Sequence, residues 1–598
     1  MRKNVKKQLA LRVLSTAALV AMVSSIATAA FAAEYNVADG SVEIVAKDGS
    51  QRITQWEDKD NNLCVKDGEG KDIRDREDSN IILTTKNKDT GETETTSNTV
   101  TITAENKGDT ANVTLQDVHI ETKSSWNDSG SAPIEIKGDG DTKLELNGNN
   151  TVLSGSKNHA GIEKADVNGT GTLTIKDDLN DDNSTPKDKD ENGNAVGGDT
   201  GKLVAGGFYD GAGIGGGAYH DEKDYADTSN ITITGGDITA SGGYYGAGIG
   251  AGCYGDASNI RIEGNAHVTA FSDGSAAIGS GYQSQGNSDI TITDHATVEA
   301  ASLNSCAIGS GHDSSDKVTI TISGNASVNA QTRNSPAAIG SDTFSTTVNI
   351  EDHADVTAVG GYGVAIGTGY GHDSTGYHGE TSTVINITGG TVNAVTLHDS
   401  KPAIGTVNGN LDLTINSSTG KTTVNAYTTG SDSLPLIGTG HYDSPSWKYS
   451  TSPSEGAEYN EDGSSNLGED NAAIINFYRN TPLGTGTYDA PETLDDGAFH
   501  PTLEFQGTIL RPKYILSDKD KGDLTKVVHN RKYMDETIDT SDLKDEDLHD
   551  WKLVGKVVEP TTEKEGYADY ICSIDKCGQT KHVVLPKIVP DKPSTPDT

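Results

Sequence analysis

Hydrophobic and polar residues alternate in short runs through the middle of the chain, and these runs recur in one form. Examples are ITITGGDITA at 231–240, ITITDHATVEA at 290–300 and ITISGNASVNA at 320–330. Alternation with a period of two places one set of side chains, such as Ile231 and Ile233, on a single face of a strand. Each run therefore predicts a strand, a tight turn and a second strand.

A glycine-rich box containing Ile-Gly follows each pair of predicted strands. Its spacing varies from 27 residues (Ile339 to Ile366) to 38 residues (Ile366 to Ile404). A repeat of this length is typical of a solenoid, whereas the blade of a β-propeller needs four strands and ~40 residues. The boxed isoleucines are Ile214, Ile249, Ile278, Ile308, Ile339, Ile366, Ile404 and Ile437.

Three short strands and three corners per repeat predict one coil of a parallel β-helix, with coils stacked ~4.8 Å apart and the boxed isoleucines inside. The predicted fold class is all-β, a single-stranded parallel β-helix solenoid, right-handed by default, with a small β-rich C-terminal module. Irregular alternation at 112–122, 133–155 and 160–178 predicts earlier coils, and the polar stretch 177–194 predicts a protruding loop.

These patterns divide the chain into five predicted parts. They are a signal peptide (1–32), a parallel β-helix repeat domain (33–441), a linker and cap region (442–510), a small C-terminal module with a cysteine pair (511–588) and a Pro-rich tail (589–598).

The first segment has the features of a secretory signal. Basic residues precede an apolar stretch from Val13 to Val23, and Ala30-Phe31-Ala32 offers small residues at the cleavage positions. The apolar stretch is too short to span a membrane, and a buried N-terminal helix is the alternative. We expect an exported protein, secreted or displayed at the cell surface, with no membrane span in the mature chain.

Composition and charge narrow the function. Only 33% of the residues are hydrophobic and 70 are glycine, which suits a narrow solenoid better than a conventional core. Eighty-eight acidic residues against 47 basic ones give a formal charge of −41. Phosphates are repelled by such a surface, so we expect no nucleic-acid partner. We also expect the protein to be a monomer. The charge favours divalent cations, although a solvated acidic exterior also explains it.

Acidic loops are candidate sites for a structural calcium ion. The segments GDGD (138–141), DDLNDD (177–182) and YHDEKD (219–224) carry the carboxylates that Ca²⁺ prefers. None has the spacing of an EF-hand, so the sequence does not identify the metal ligands. We expect no other cofactor.

Two Asp-His dipeptides, at 294–295 and 352–353, are the strongest candidates for acid–base chemistry. Internal alignment places them at the turn slot that holds Gly-Asn at 264–265 and 324–325. Residues that exchange at one slot and tolerate turn conformations indicate backbone geometry instead. We therefore expect no catalytic residues and no enzyme.

The scarcity of arginine in the repeats argues against one particular enzyme, a calcium-dependent polysaccharide lyase that acts on uronates. Such enzymes need a strong base, and Arg261 and Arg333 are the only arginines between residues 205 and 440.

Tyrosines lie around the boxes and are expected to gather along one side of the solenoid. Aromatic rings stack on sugar faces, so this strip predicts a polysaccharide site; the alternative is that the rings only pad the loops. The tyrosines are Tyr209, Tyr219, Tyr244, Tyr245, Tyr254, Tyr282, Tyr362, Tyr370, Tyr377 and Tyr442.

Five cysteines are too few for a disulfide scaffold in an exported protein of this length. Cys253 and Cys306 lie in or beside boxes, where small buried residues are expected. Cys64 has no evident mate, and Cys572 and Cys577 form the only close pair.

The signal segment, the GAGIGGG and AAIGSG boxes and the ITITGG-type strands together resemble secreted parallel β-helix repeat proteins of Gram-positive bacteria, especially Firmicutes. The coils at 112–178 are similar to β-helical carbohydrate-binding domains of clostridial surface proteins. The two resemblances cover roughly residues 100–440. They imply surface display and, in some members, polysaccharide binding by an adhesin.

Residues 549–587 resemble a short module that decorates the same surface proteins. That module carries Cys-x-x-Cys, whereas four residues separate Cys572 from Cys577 here, which weakens a zinc-knuckle role. A disulfide and a reduced pair both stay open. No Leu-Pro-x-Thr-Gly motif is present, so we expect release, non-covalent retention or a longer parent chain.

The leading hypothesis is an exported, non-enzymatic β-helix protein that binds polysaccharide or extracellular matrix through loops along the solenoid. The alternatives are a purely structural stalk of the cell envelope and, third, the calcium-dependent lyase.

Overall fold

Short β-strands joined by tight corners build the structure, which is a computed structural model. It describes residues 33–123, 130–180, 186–189, 195–196, 200–218, 226–315, 317–335, 337–343, 345–369, 382–397, 401–407, 410–415, 418–428, 437–439, 474–478, 483–487, 508–512, 551–558, 561, 564, 566–572, 580–585 and 587.

Three long sheets, named A, B and C here, form the walls of a solenoid, and a regular coil adds one strand to A, then C, then B. Sheet A has 12 described strands: Ala33–Asn36, Ile81–Thr84, Thr110–Gln116, Asp141–Asn147, Leu173–Lys176, Thr228–Ile233, Ala257–Ile262, Asn287–Ile292, Lys317–Ile322, Thr346–Ile350, Ser382–Ile387 and Asn410–Ile415.

Sheet B has 15 described strands: Ser41–Lys47, Ser50–Asp58, Leu63–Cys64, Arg76–Glu77, Val100–Ala104, Ile134–Lys137, Ile162–Glu163, Ile214–Gly215, Ile249–Gly250, Ile278–Gly279, Ile308–Gly309, Ala337–Ser341, Val364–Thr368, Ile404–Thr406 and Ile437–Thr439. Sheet C has 11: His119–Glu121, Asn149–Leu153, Lys202–Gly206, Asp237–Ser241, His267–Ser272, Thr297–Ser302, Ser327–Thr332, Asp355–Gly360, Gly390–Thr396, Thr422–Thr428 and Ile474–Tyr478. The parallel β-helix predicted from the alternation is confirmed.

The boxed isoleucines stack in register inside the solenoid. Ile278 pairs with Ile308, and Ile308 pairs with Ile339 in the next coil. All eight are fully buried, which confirms the predicted inward ladder and contributes roughly 1.5–3 kcal/mol per side chain. In sheet A, polar side chains also stack between coils: Nδ2 of Asn386 donates to Oδ1 of Asn349 at 2.9 Å.

Glycine in the box is required by the close approach of neighbouring coils. Gly309 has a φ of 137°, and a Cβ there would lie 1.8 Å from the carbonyl oxygen of Gly340. In the box at Ile249 the amide of Ala247 donates to the carbonyl of Ala251 at 2.9 Å. The loop before this box meets the loop after the next one: the amide of Tyr282 donates to the carbonyl of Tyr245 at 3.2 Å.

The turn slot between the sheet A and sheet C strands has left-handed backbone geometry. Asp294 and Asp352 have φ values of 58° and 59°, close to the 65° and 67° of Gly264 and Gly324 in sister coils. Oδ2 of Asp294 accepts a hydrogen bond from the amide of Gly264 at 3.1 Å. The interpretation of the Asp-His dipeptides as turn residues is confirmed.

The N-terminal end of sheet B departs from a regular coil. Ser41–Lys47 pairs in parallel with Val100–Ala104 and in antiparallel fashion with Ser50–Asp58. The hairpin covers the edge that the first rung would otherwise expose. At the opposite end, Ile474–Tyr478 adds a parallel rung to Thr422–Thr428.

Smaller elements lie outside the three sheets. They are the antiparallel pairs Asp188–Lys189 with Ala195–Val196 and Leu483–Thr487 with Thr508–Pro512, the three-stranded antiparallel sheet Trp551–Val558, Gly566–Cys572 and Thr580–Leu585, and the 3₁₀ helices Val37–Asp39 and Asp166–Asn168. Among the described residues, no helix has the length and apolar character that crossing a membrane requires. The predicted signal peptide 1–32 and the tail 589–598 lie outside the described residues.

Candidate functional site

Five tyrosines from three successive coils lie side by side where the corner loops meet around the boxes. We call them the tyrosine row; its members are Tyr209, Tyr244, Tyr245, Tyr254 and Tyr282. The first three precede a box and the last two follow one. The expected gathering of tyrosines on one side of the solenoid is thus confirmed for these residues.

The rings of the row pack on one another and keep part of their surface exposed. The ring centroids of Tyr244 and Tyr245 lie 4.6 Å apart at 90°, and those of Tyr245 and Tyr282 lie 4.6 Å apart at 43°. Tyr254 is 42% exposed and the others are half-buried. Nζ of Lys157, one coil earlier, lies 5.3 Å from the ring centroid of Tyr209. The row therefore serves loop packing and also presents aromatic surface to solvent.

The hydroxyl of Tyr282 links the row to the next coil. It donates to Oδ2 of Asp313 at 3.4 Å and accepts from Nε2 of Gln283 at 3.0 Å. Burial, followed by the charge of Asp313, raises the pKa of Tyr282 to about 12. The hydroxyl therefore stays protonated at neutral pH.

The other predicted tyrosines do not belong to the row. Tyr362 is 59% exposed and belongs to a later coil. The remaining candidates lie outside the described residues; they are Tyr219, Tyr370, Tyr377 and Tyr442.

One coil beyond Tyr282, a histidine and two aspartates converge. His312, Asp313 and Asp342, the HDD cluster, each offer a ligand atom, and these atoms lie within 4.8 Å of one another. Nδ1 of His312 lies 3.3 Å from Oδ2 of Asp342, and its Nε2 lies 3.7 Å from Oδ1 of Asp313. The imidazole of His312 therefore lies between two carboxylates, and its ring centroid is 6.0 Å from that of Tyr282.

Burial differs sharply within the cluster. The Asp342 side chain is fully buried, His312 is half-buried and Asp313 is exposed. Oδ2 of Asp342 accepts from the amide of Asp313 at 3.1 Å, and its own amide donates to Oγ of Ser310 at 2.9 Å. The carboxylate of Asp342, opposed by burial, raises the pKa of His312.

The acidic loops predicted as calcium candidates do not converge in the described residues. Oδ1 of Asp139 accepts from the amide and hydroxyl of Thr170. Asp177 instead pairs with Lys187 at 2.8 Å, with both side chains buried. Residues 181–182 and 219–224 lie outside the description, so calcium at these loops stays a prediction.

Ion pairs between a buried carboxylate and a half-buried cation, in the upstream coils, are a feature that the sequence pattern did not predict. Nδ1 of His159 lies 2.8 Å from Oε2 of Glu163, and Nζ of Lys176 lies 2.8 Å from Oε2 of Glu145. Burial raises the pKa of Glu145 against the opposing effect of Lys176. Each partner offsets the desolvation of the other, so we interpret these pairs as structural.

The described cysteine side chains are buried thiols. Cys64, Cys253 and Cys306 form no disulfide within the described part of the chain, and the predicted burial of the last two is confirmed. Burial, followed by the charge of Asp342, raises the pKa of Cys306 to about 12, so it stays protonated at neutral pH. Cys577 lies outside the description, and its pairing with Cys572 stays a prediction.

Comparison with protein families matches the solenoid repeat itself. A family model described as the beta helix repeat matches residues 231–253, 260–282 and 385–406. Each matched segment contains a turn slot and reaches a box. The chain is a parallel β-helix repeat protein. No curated protein and no solved structure matches this β-helix repeat protein.

The matched segments account for part of the candidate site. Tyr244, Tyr245 and Tyr282 lie within them, whereas all three members of the HDD cluster lie outside.

Proposed function

We propose that this β-helix repeat protein is an exported, non-enzymatic protein that binds a polysaccharide along the tyrosine row. The carrying observation is the continuity of the row, in which each ring lies within 6.5 Å of another across three coils. Coils rise by ~4.8 Å, which is comparable to the length of one sugar ring in an extended chain. A polymer lying along the solenoid would meet one corner loop per sugar unit.

Charge selects among polymers. Uronic or sulfated chains are repelled by a protein with a formal charge of −41. The tyrosine hydroxyls offer neutral hydrogen-bond partners, and the Tyr282 hydroxyl is held protonated. We therefore expect a neutral or cationic polysaccharide, and this also disfavours the uronate lyase.

The surroundings of the candidate catalytic groups support binding without cleavage. The guanidinium of Arg261 contacts Glu263 at 2.7 Å, and Asp294 and Asp352 occupy left-handed turn positions. Surface display, the Gram-positive resemblance and adhesin action rest on the predicted signal peptide and on family resemblance.

Polysaccharide binding is tested with the full chain on an array that includes neutral, cationic and uronic glycans. We expect Tyr254→Ala and Tyr282→Ala each to weaken binding to the best neutral or cationic glycan about tenfold, since a lost ring–sugar stack is worth roughly 1–1.5 kcal/mol. Tyr567→Ala, in the C-terminal sheet, is the matched control and should bind like the parent.

Two results contradict the proposal. Absence of binding to every glycan favours the structural stalk. Binding that survives both row substitutions moves the site away from the tyrosine row. Ultraviolet-absorbing unsaturated products from a uronate polymer would instead identify a lyase.

A further inference from the structure

We propose that the HDD cluster binds a divalent transition-metal ion, with Zn²⁺ as its best-matched occupant. The proposal rests on the positions of three side chains from two successive coils and does not depend on whether the adjacent tyrosine row binds a glycan. His312 and Asp313 follow the box at Ile308, and Asp342 follows the box at Ile339. Stacking alone brings these residues together across about 30 residues of chain.

The separations within the cluster suit a small metal ion. Ligands held about 2.1 Å from a tetrahedral zinc ion lie roughly 3.4 Å apart. Nδ1 of His312 and Oδ2 of Asp342 are 3.3 Å apart, and all three ligand atoms lie within 4.8 Å of one another. Asp313 is the exposed member of the three, and its Oδ1 lies 3.7 Å from Nε2 of His312.

A buried, unpaired carboxylate oxygen independently indicates a ligand. Oδ1 of the fully buried Asp342 has no hydrogen-bond partner among the described residues, and Nδ1 of His312 likewise has no aligned one. A buried polar atom without a hydrogen-bond partner is costly. A cation between the ring and the carboxylate would satisfy both atoms.

The donor set discriminates between metals. Calcium and magnesium take oxygen ligands, whereas imidazole with carboxylates suits zinc and its neighbours. Three protein ligands also leave a coordination position for water, as in open zinc sites. The presence of His312 therefore favours Zn²⁺ over Ca²⁺.

The test is calorimetric titration of the full chain with Zn²⁺, alongside Co²⁺ titrations followed by visible absorbance. We expect His312→Gln and Asp342→Asn each to weaken the tightest Zn²⁺ site at least tenfold and to remove the corresponding Co²⁺ band. His295→Gln is the matched control, because it removes a histidine from the turn slot of the coil that ends at the Ile308 box and should leave both signals unchanged.

Three outcomes would overturn the assignment. These are equal Zn²⁺ affinity in the parent and His312→Gln, equal losses in His312→Gln and His295→Gln, or tighter binding of Ca²⁺ than of Zn²⁺ that survives His312→Gln. If circular dichroism shows that Asp342→Asn does not fold, the comparison of the two histidine variants decides the question.

Discussion

At the scale of single residues, the box glycine carries two separable demands, a left-handed backbone and the absence of a Cβ. Gly309 meets both, since its φ is 137° and an added Cβ would contact Gly340. We expect Gly309→Ala to lower the free energy of unfolding by more than the ~1–3 kcal/mol that backbone strain alone costs. Chemical denaturation of the full chain measures this loss.

Substitutions at two other glycines separate backbone strain from the close approach of an added Cβ. Gly49 has a φ of 78° with open space around it, so Gly49→Ala should show strain alone. Gly68 has neither constraint, and Gly68→Ala should be neutral or slightly stabilising. A Gly309→Ala loss no larger than that of Gly49→Ala would contradict the close-approach argument.

Single residues also show where sequence analysis ends. The turn role of Asp294 was predictable because sister coils carry glycine at the same slot, and the repeat supplies its own alignment. The meeting of His312 with Asp342 was not, because the sequence does not show which residues of successive post-box loops become neighbours after stacking, and His-Asp also follows the boxes at 220–221 and 372–373. The available signal was their shared position just after a box.

At the scale of strands, a charged pair joins adjacent rungs of sheet C and makes their pairing sensitive to pH. Asp237 and His267 are direct cross-strand partners, and Oδ1 of the aspartate lies 3.1 Å from Nδ1 of the histidine. Their hydrogen bond lowers the pKa of Asp237 and raises that of His267. Nearby Lys202 adds to the first shift and Glu299 to the second.

The directions of these two pKa shifts define the pH range in which the pair stabilises the folded protein. The His267 contribution is present below its unfolded pKa of 6.5 and is lost as pH rises through the higher folded pKa. The Asp237 contribution is present above 3.8 and is lost as pH falls through the lower folded pKa. We expect a double-mutant cycle of Asp237→Asn and His267→Gln to give a coupling of about 0.2–1 kcal/mol near pH 5, and less at pH 3 and pH 8.

Thermal melts at the three pH values measure this coupling. A parallel cycle on the exposed pair Lys66 and Asp72 is the control, because it lacks histidine and should keep its coupling at pH 8. A coupling for Asp237 and His267 that is equal at pH 5 and pH 8 would show that the charge of His267 does not act on this rung.

Strand order was predictable only where the repeat is regular. From about residue 100 onward, period-two alternation and boxed glycines identify the coils because each position faces the same neighbour in the next coil. The hairpin of Ser41–Lys47 with Ser50–Asp58 alternates equally well. Alternation alone does not distinguish parallel from antiparallel pairing, so this end of sheet B was not predicted.

At the scale of the whole molecule, the fold follows from the sequence far more directly than the function does. The inward isoleucines and the box glycines meet the same packing requirement in every coil. They therefore recur periodically in the sequence. The tyrosine row and the HDD cluster occupy loops whose lengths change between boxes. Their chemistry depends on which loops become neighbours after the coils stack. The sequence pattern predicts these neighbours only in part.

Net charge acts on the entire solenoid and supports the last prediction. With 88 acidic and 47 basic residues, carboxylates on stacked coils repel one another more than ion pairs attract. Raising NaCl from 10 to 150 mM shortens the screening length from ~30 Å to ~8 Å. We expect the melting temperature of the full chain to rise by at least about 2 °C, as measured by calorimetry at pH 7. KCl should act equally, since screening depends on ionic strength, whereas a falling melting temperature would mean that surface ion pairs outweigh the repulsion.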